Sequence, residues 1–222
     1  MYKLVFIFLL ISNFGHSQII LDFKNSLVVD DVVYSKTTGQ KFTGILYKTN
    51  ENGQYPFQAN VINGLYEGKY VKFYPNGDTL IKGQYLHGKL NGIVYHFNGN
   101  DWPEVGSKKN CSEMHTYVNG IKSGPYETYY GNGSIFVKGY KIDGLGEGSY
   151  EIRWENNKLL TKGELVNNLA LGRWELFNQE GKKFAEVIFG NGKIIECQGD
   201  CKDIWNGQFH YDLTGVIFSK KN

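Results

Sequence analysis

The sequence lacks two features that would assign it to a membrane or a nucleic-acid-binding class. After the apolar run Leu4–Ile11 it has no second long apolar stretch, and that run is far shorter than the roughly 20 residues of a spanning helix. It has no charge excess either, because 23 basic residues face 22 acidic ones once Lys3 is set aside. A balanced chain has no field that attracts nucleic acid or an anionic membrane over a distance. We expect no nucleic-acid partner and no integral membrane segment in the mature protein.

The N-terminus has the pattern of a secretory signal. Lys3 supplies the positive start, Leu4–Ile11 the apolar core, and Gly15 and Ser17 are small residues at positions −3 and −1 of a cleavage site. A short buried strand and a membrane span are the alternatives. We predict that residues 1–17 are a signal peptide and that the mature protein is exported, periplasmic or extracellular.

Cysteine is scarce, with three residues in the whole chain. In an oxidising compartment Cys197 and Cys201 would close a small disulfide loop, and a longer link from Cys111 is the alternative. A thiolate metal site is disfavoured because no histidine lies near the Cys-x3-Cys spacing. We expect no metal and no cofactor.

Glycine is abundant and it is periodic. One series has successive spacings of 24, 24, 32, 24 and 24 residues: Gly44, Gly68, Gly92, Gly124, Gly148 and Gly172. A second series keeps the same register four residues earlier, from Gly64 to Gly192. The single step of 32 indicates eight extra residues near 98–113. A tandem repeat of about 24 residues therefore organises the chain.

Each repeat reads as a β-hairpin. Lys69–Tyr74 and Thr79–Gly83 are rich in β-branched and aromatic residues, and a turn containing Gly77 separates them. Asn-Gly pairs, which favour type I′ hairpin turns, recur along the chain. The pattern predicts an all-β fold, an elongated single-layer array of antiparallel hairpins over residues 41–218. Residues 18–40 are predicted to cap its N-terminal end.

The segment Asn63–Gly77, NGLYEGKYVKFYPNG, resembles the bacterial MORN-repeat variant, whose core is Gly-x-Trp/Tyr-x-x-Tyr-Tyr-x-x-Gly. Asp31–Tyr34 and Lys41–Gly44 are similar to the usual start of such proteins, so the resemblance covers about 34–218. It implies an antiparallel hairpin array with a role in protein or membrane association. Some members of the family are labelled antitoxins of toxin–antitoxin systems.

No catalytic constellation emerges, and we predict that the protein is not an enzyme. His87 lies at a turn position that is asparagine in most repeats, and His96 replaces a strand residue without an identifiable partner. Glu127, Glu151 and Glu175 share one repeat position, which favours a solvated ladder over a pair of catalytic carboxylates.

Two features are candidates for binding. Alternation along the strands places an aromatic stripe on one face, formed by Tyr70, Tyr74, Tyr126, Tyr130, Tyr150, Trp154 and Trp174. The stripe is either a binding surface for a peptide or glycan or the core of the array. Trp102 lies in the insertion, which is either a specificity loop or a tolerated insertion.

We predict an exported, non-enzymatic scaffold that binds a protein partner. The alternative is a carbohydrate- or cell-envelope-binding module that uses the aromatic stripe.

Overall fold

One long sheet dominates the protein. The structure, a computed structural model, describes residues 19–48, 57–74, 76–98, 111–202, 209–212 and 215–220. Sixteen strands form the main sheet, and two separate two-stranded sheets lie near the ends of the chain. The predicted all-β class is therefore confirmed. The predicted signal peptide, Trp102 and most of the insertion lie outside the described residues.

The N-terminal region departs from the repeat. Its elements are β1 (Ile20–Asp22), a 3-10 turn (Phe23–Asn25), β2 (Ser26–Val29), β3 (Val32–Ser35) and β4 (Gly44–Lys48). β2 and β3 pair in a sheet of their own. β1 pairs with β4 in parallel, and it is the outermost strand of the main sheet. This parallel pair departs from the predicted antiparallel array. β1 and β4 are not consecutive strands of a hairpin, because β2 and β3 lie between them in the chain.

The repeats follow as consecutive antiparallel strands. In chain order they are β5 (Phe57–Ile62), β6 (Leu65–Phe73), β7 (Thr79–Leu86), β8 (Lys89–Leu90), β9 (Gly92–Phe97), β10 (Cys111–Val118), β11 (Ile121–Tyr129), β12 (Ile135–Ile142), β13 (Leu145–Gly146), β14 (Gly148–Arg153), β15 (Leu159–Val166), β16 (Leu169–Phe177), β17 (Lys183–Gly190) and β18 (Lys193–Gly199). A last hairpin, β19 (Phe209–Asp212) and β20 (Gly215–Lys220), forms the other small sheet. Strand order follows chain order from β4 to β18, except that the two-residue strands β8 and β13 lie off this path and pair with β7 and β12; this is the succession the repeat predicts.

Tight turns close one end of the hairpins. Asn63 and Gly64 have φ values of 53° and 85°, and His87 and Gly88 have 51° and 81°. Positive φ at both central residues is typical of a type I′ turn, which Asn-Gly favours. His87 thus adopts the conformation of the asparagines in the other repeats. Each turn is also tied to the preceding repeat, since the Gly88 N–H donates to the Tyr66 carbonyl at 2.9 Å.

Longer turns close the other end, and asparagine side chains stabilise them. The Asn132 Oδ1 accepts from the Ser134 N–H at 2.8 Å, and Asn156 repeats this contact with Lys158 at 3.0 Å. The strand register shifts just before each of these turns, for example between Thr128 and Tyr129. The same shift recurs between Lys72 and Phe73, between Ile152 and Arg153, and between Leu176 and Phe177.

The two faces of the sheet differ. We call the face that carries Tyr150 and Trp174 the inner face, and the opposite one the outer face. The main hydrophobic cluster lies on the inner face in the C-terminal repeats, where Ile152, Trp174 and Leu176 are fully buried. A smaller cluster around Val33 and Leu46 lies at the N-terminal end. Between the two clusters the inner face has buried residues, such as Val94 and His115, beside partly exposed ones, such as Tyr117 and Lys122.

Candidate functional site

The C-terminal part of the aromatic stripe is core. Trp174 is 0% exposed and Tyr150 4%, and their ring centroids lie 5.9 Å apart. Burial is the main cause that raises the pKa of Tyr150 above its usual value. Burial also raises the pKa of the half-buried Tyr126 to about 12. The structure therefore leaves Tyr150 and Trp174 no surface with which to bind a ligand.

Three further stripe residues are committed to the backbone of the next repeat. The Tyr74 hydroxyl donates to the Phe97 carbonyl at 2.8 Å. The same contact, always to a residue 23 positions later, recurs from Tyr130 to Arg153 at 2.7 Å and from the Trp154 Nε1 to Phe177 at 3.0 Å. These polar atoms join neighbouring hairpins, so Tyr74, Tyr130 and Trp154 have a structural role.

The N-terminal part of the stripe is more open. Tyr70 is half-buried and belongs to a cluster of rings with Phe57, Tyr66 and Tyr85. The rings meet at 63° between Phe57 and Tyr70, at 82° between Tyr70 and Tyr85, and at 35° between Tyr66 and Tyr85. Burial is the main cause that raises the pKa of Tyr70 to about 12. This cluster places partly buried tyrosine side chains on the inner face.

Beside this cluster the inner face carries ionisable side chains. Glu113 occupies the repeat position held elsewhere by Ile81, Val137, Thr161 and Ala185, and His115 the one held by glycine at 83, 139 and 163. Because β10 pairs with β9, Glu113 lies directly opposite His96. The repeat thus departs from apolar or small residues at Glu113 and His115, and His96 lies beside them on the inner face.

The three side chains interact. One Glu113 carboxylate oxygen lies 3.2 Å from the His115 Nε2, and the other lies 3.8 Å from the His96 Nδ1. The hydrogen bond with His115 is the main cause that lowers the pKa of Glu113 to about 2. Burial is the main cause that lowers the pKa of His96 below its usual value. His115 is 5% exposed and stacks on Tyr126 with a centroid distance of 5.5 Å.

Two lysines border this cluster on the next strands. Lys122 on β11 pairs with Tyr117, and Lys141 on β12 pairs with Gly124, two residues beyond Lys122. The Lys141 Nζ lies 5.3 Å above the Tyr126 ring and donates to the Gly144 carbonyl at 3.1 Å. Burial, followed by the nearby Lys122 charge, lowers the pKa of Lys141. The strand register therefore brings two lysines to neighbouring positions of the inner face here.

The outer face carries a charged ladder, in keeping with the predicted solvated role of its glutamates. Glu175 lies 2.9 Å from Lys162 and 3.1 Å from Lys183, while Glu151 pairs with Arg153 at 2.7 Å. These contacts satisfy the glutamates locally. Glu186 lies directly opposite Glu175 on β17, and Lys183 bridges the two carboxylates at 3.2 and 3.1 Å.

A row of exposed aliphatic residues lies beside the type I′ turns. Its members each immediately precede a turn, are between 41% and 55% exposed, and are called the aliphatic margin here: Ile62, Leu86, Val118, Ile142 and Val166. Ile121 and Leu145 pair with two of them across the hairpins and are 50% and 41% exposed. The repeat exposes an aliphatic side chain at the same place on successive hairpins. Such a regular arrangement differs from the single, scattered apolar residues that are normal on a protein surface.

The cysteines are also placed. Cys197 and Cys201 form a disulfide that closes the small loop after β18. Cys111 is buried at the start of β10, and its Sγ donates to the Glu113 carbonyl at 3.2 Å. Within the described part of the chain, no group of three or more potential ligands is arranged to hold a metal ion. Nor do these residues include a helix long and apolar enough to cross a membrane.

Sequence reasoning missed two features. The partner of His96 comes from across the insertion, so spacing along the chain hides it, although aligning Glu113 with Val137 in the repeat would have marked it as a departure. The aliphatic margin was visible as the apolar residue before each turn. Comparison with known proteins assigns no family: no family model matches the chain, and no similarity to a curated protein is found.

Proposed function

We propose that this chain is an exported, non-enzymatic repeat scaffold that binds a protein partner. The observation that carries the proposal is the aliphatic margin, in which Val118 and Ile142 are 49% and 51% exposed on neighbouring hairpins. Exposed aliphatic side chains that recur along one margin of a protein are typical of surfaces that a protein partner covers. The signal-like residues 1–17 support export. The hairpin succession is in keeping with the proposed relation to MORN-repeat variants.

A carbohydrate- or envelope-binding module is the second candidate, favoured by the half-exposed Tyr66, Tyr70 and Tyr85. Stacking on a sugar requires rings that present open faces in a row. Tyr70 meets Tyr85 edge-on at 82° and Tyr66 meets it at 35°, so the three rings do not form a row of parallel open faces, and the cluster suits a polypeptide side chain better. The glycan function is therefore less well supported.

Affinity capture tests the proposal. The mature protein and a Val118→Ser/Ile142→Ser variant would be immobilised, cross-linked to extracellular and envelope extracts, and analysed by quantitative mass spectrometry. We expect specific proteins to be retained by the unmodified protein and lost at least severalfold from the variant. Both substitutions remove apolar area that a partner would bury, and each Å² of buried apolar area contributes about 25 cal/mol to binding.

The matched control is Lys138→Ser/Glu164→Ser, which changes two exposed polar residues of β12 and β15 without touching the margin. Circular dichroism must show that both variants keep the fold. Equal retention by the margin variant and the control would contradict the proposed surface. Retention of glycans alone on a glycan array, with no protein captured, would favour the second candidate.

A further inference from the structure

The inner face contains a row whose chemistry differs from the rest of the sheet. Tyr85, Tyr117 and Lys141 occupy one repeat position on β7, β10 and β12, and Lys122 lies beside them on β11. In the C-terminal repeats the same position holds the buried Leu165 and Phe189. The row therefore changes from apolar core to partly exposed phenols and ammonium groups within a single sheet.

Charge is unbalanced along this row. Among the described residues, Lys122 and Lys141 form no ion pair with a carboxylate within 4.0 Å. The nearest acid on the face, Glu113, directs its two oxygens at His115 and His96. On the outer face, by contrast, Lys162 and Lys183 are both paired with Glu175. Two neighbouring unpaired ammonium groups repel one another, and a bound carboxylate relieves that repulsion.

The spacing of the row defines the size of a matching ligand. Tyr85 on β7 and Lys122 on β11 are separated by three strand-to-strand steps, since β9 and β10 lie between them. At about 4.8 Å per step this is about 14 Å, which an extended peptide spans in about four residues. Tyr66 and Tyr70 surround Tyr85, with centroids 5.2 and 5.3 Å from its ring. One end of the row thus accepts a ring and the other an acid.

We propose that the inner face binds an acidic peptide segment of the partner, with an aromatic side chain against Tyr66, Tyr70 and Tyr85 and a carboxylate between Lys122 and Lys141. The segment lies across the strands and presents the two groups about four residues apart. This inference rests on the proposed function as a protein-binding scaffold. It specifies the chemistry of the partner segment that would bind the inner face, a surface separate from the aliphatic margin.

A fluorescence-anisotropy titration with defined peptides tests the site. The probe is a fluorescein-labelled peptide of sequence FGSGEE, and its partner is FGSGQQ, which has the same length without the acids. We expect the glutamate peptide to bind more tightly, with an affinity that decreases as salt rises. Lys122→Gln/Lys141→Gln is expected to weaken it about three- to tenfold, the range for losing partly exposed ion pairs.

The control variant Lys82→Gln/Lys138→Gln removes the same charge from exposed outer-face positions of β7 and β12. Unchanged binding in this control supports a defined site, whereas an equal loss shows non-specific attraction and overturns it. Equal binding of FGSGQQ also overturns it. Polygalacturonate forms the third arm: if it binds through Lys122 and Lys141 while the peptide does not, the acidic partner is a glycan and the proposal is wrong.

The margin variant Val118→Ser/Ile142→Ser separates this inference from the proposed function. It is expected to bind FGSGEE as the unmodified protein does, because neither substitution alters the lysines. If the unmodified protein captures no protein partner but still binds FGSGEE, the proposed scaffold function is wrong and the inner-face site is supported. If capture succeeds and the peptide does not bind, the inner-face site fails alone.

Discussion

At the scale of single residues, the fold depends on small side chains beneath large ones. Gly163 lies on β15, where a Cβ atom would come within 2.2 Å of the Trp174 ring. Gly139 has the same relation to Tyr126, with 2.8 Å. These strand glycines therefore provide space for the aromatic stripe, which explains why a residue that weakens a strand is found at this repeat position in β12 and β15.

We expect Gly163→Ala to lower the free energy of unfolding by about 1–3 kcal/mol, as overpacking does, because the indole cannot move freely in the core. Urea denaturation measures the change. Gly190→Ala is the control, since that strand glycine also lacks a positive φ and its Cβ would be 3.3 Å from the flexible Ile195 side chain. An equal loss in both variants would contradict the steric explanation.

At the scale of elements, each hairpin is joined to the next one at both ends. The backbone contact from the Gly88 N–H to Tyr66 fastens the type I′ turns, and the contact from the Tyr130 hydroxyl to Arg153 fastens the longer ones. The Glu147 carboxylate adds a side-chain contact by accepting from the Asn167 N–H at 2.8 Å. Isolated two-stranded hairpins are marginal in water, so these links between elements matter for stability.

Tyr130→Phe removes only the hydroxyl that reaches the next hairpin. We expect it to lower the free energy of unfolding by about 1 kcal/mol, the typical net value of one hydrogen bond. The control is Tyr140→Phe, because that side chain is 45% exposed and its loss of a hydroxyl should have an effect within about 0.5 kcal/mol. Thermal and urea unfolding of both variants would show the difference, and a null result for Tyr130 would remove its structural role.

At the scale of the whole molecule, contacts are confined to neighbours. Strand order follows chain order from β4 to β18, so each repeat contacts chiefly the repeats before and after it. Stability is then close to a sum of repeat and interface terms. The ionisable part of the inner face lies between the N-terminal and the C-terminal hydrophobic clusters. Charged residues can therefore occupy it without exposing either cluster.

An in-register deletion tests this organisation. Removing residues 145–168 joins Gly144 to Leu169, the residue that occupies the same repeat position as Leu145. We expect the shortened protein to keep a β-type circular dichroism spectrum and a cooperative, less stable unfolding transition. Removing residues 145–156 instead breaks the register and should abolish cooperative folding. Equal folding of the two would contradict the repeat.

Several parts of the fold were predictable because their causes are local. Asn63-Gly64 specifies its turn by its own preference for positive φ, and His87 could be assigned to a turn from its register alone. The parallel contact of β1 with β4 was not predictable, since Ile20 meets Ile45 across 25 positions and nothing in either short segment specifies the pairing.

The candidate site was harder to predict. The stripe was identified as one set of residues, yet Trp174 is fully buried, Tyr70 is half-buried and Tyr130 is bound to a neighbouring backbone. Strand alternation gives a side chain its face, but not the depth of cover over that face. The pairing of His96 with Glu113 depended on how β9 and β10 align across the insertion.

The sequence by itself determined the period, the hairpins and the turn types, because glycine and asparagine preferences act within a few residues. Only the tertiary structure decided which aromatics became core and which inner-face positions remained open. That decision depends on strand register and on the side chains of neighbouring repeats, which bury Tyr150 and Trp174 and leave Lys122 and Lys141 beside Glu113, His96 and His115. Burial and charge pairing are properties of the assembled sheet, and a single repeat does not contain them.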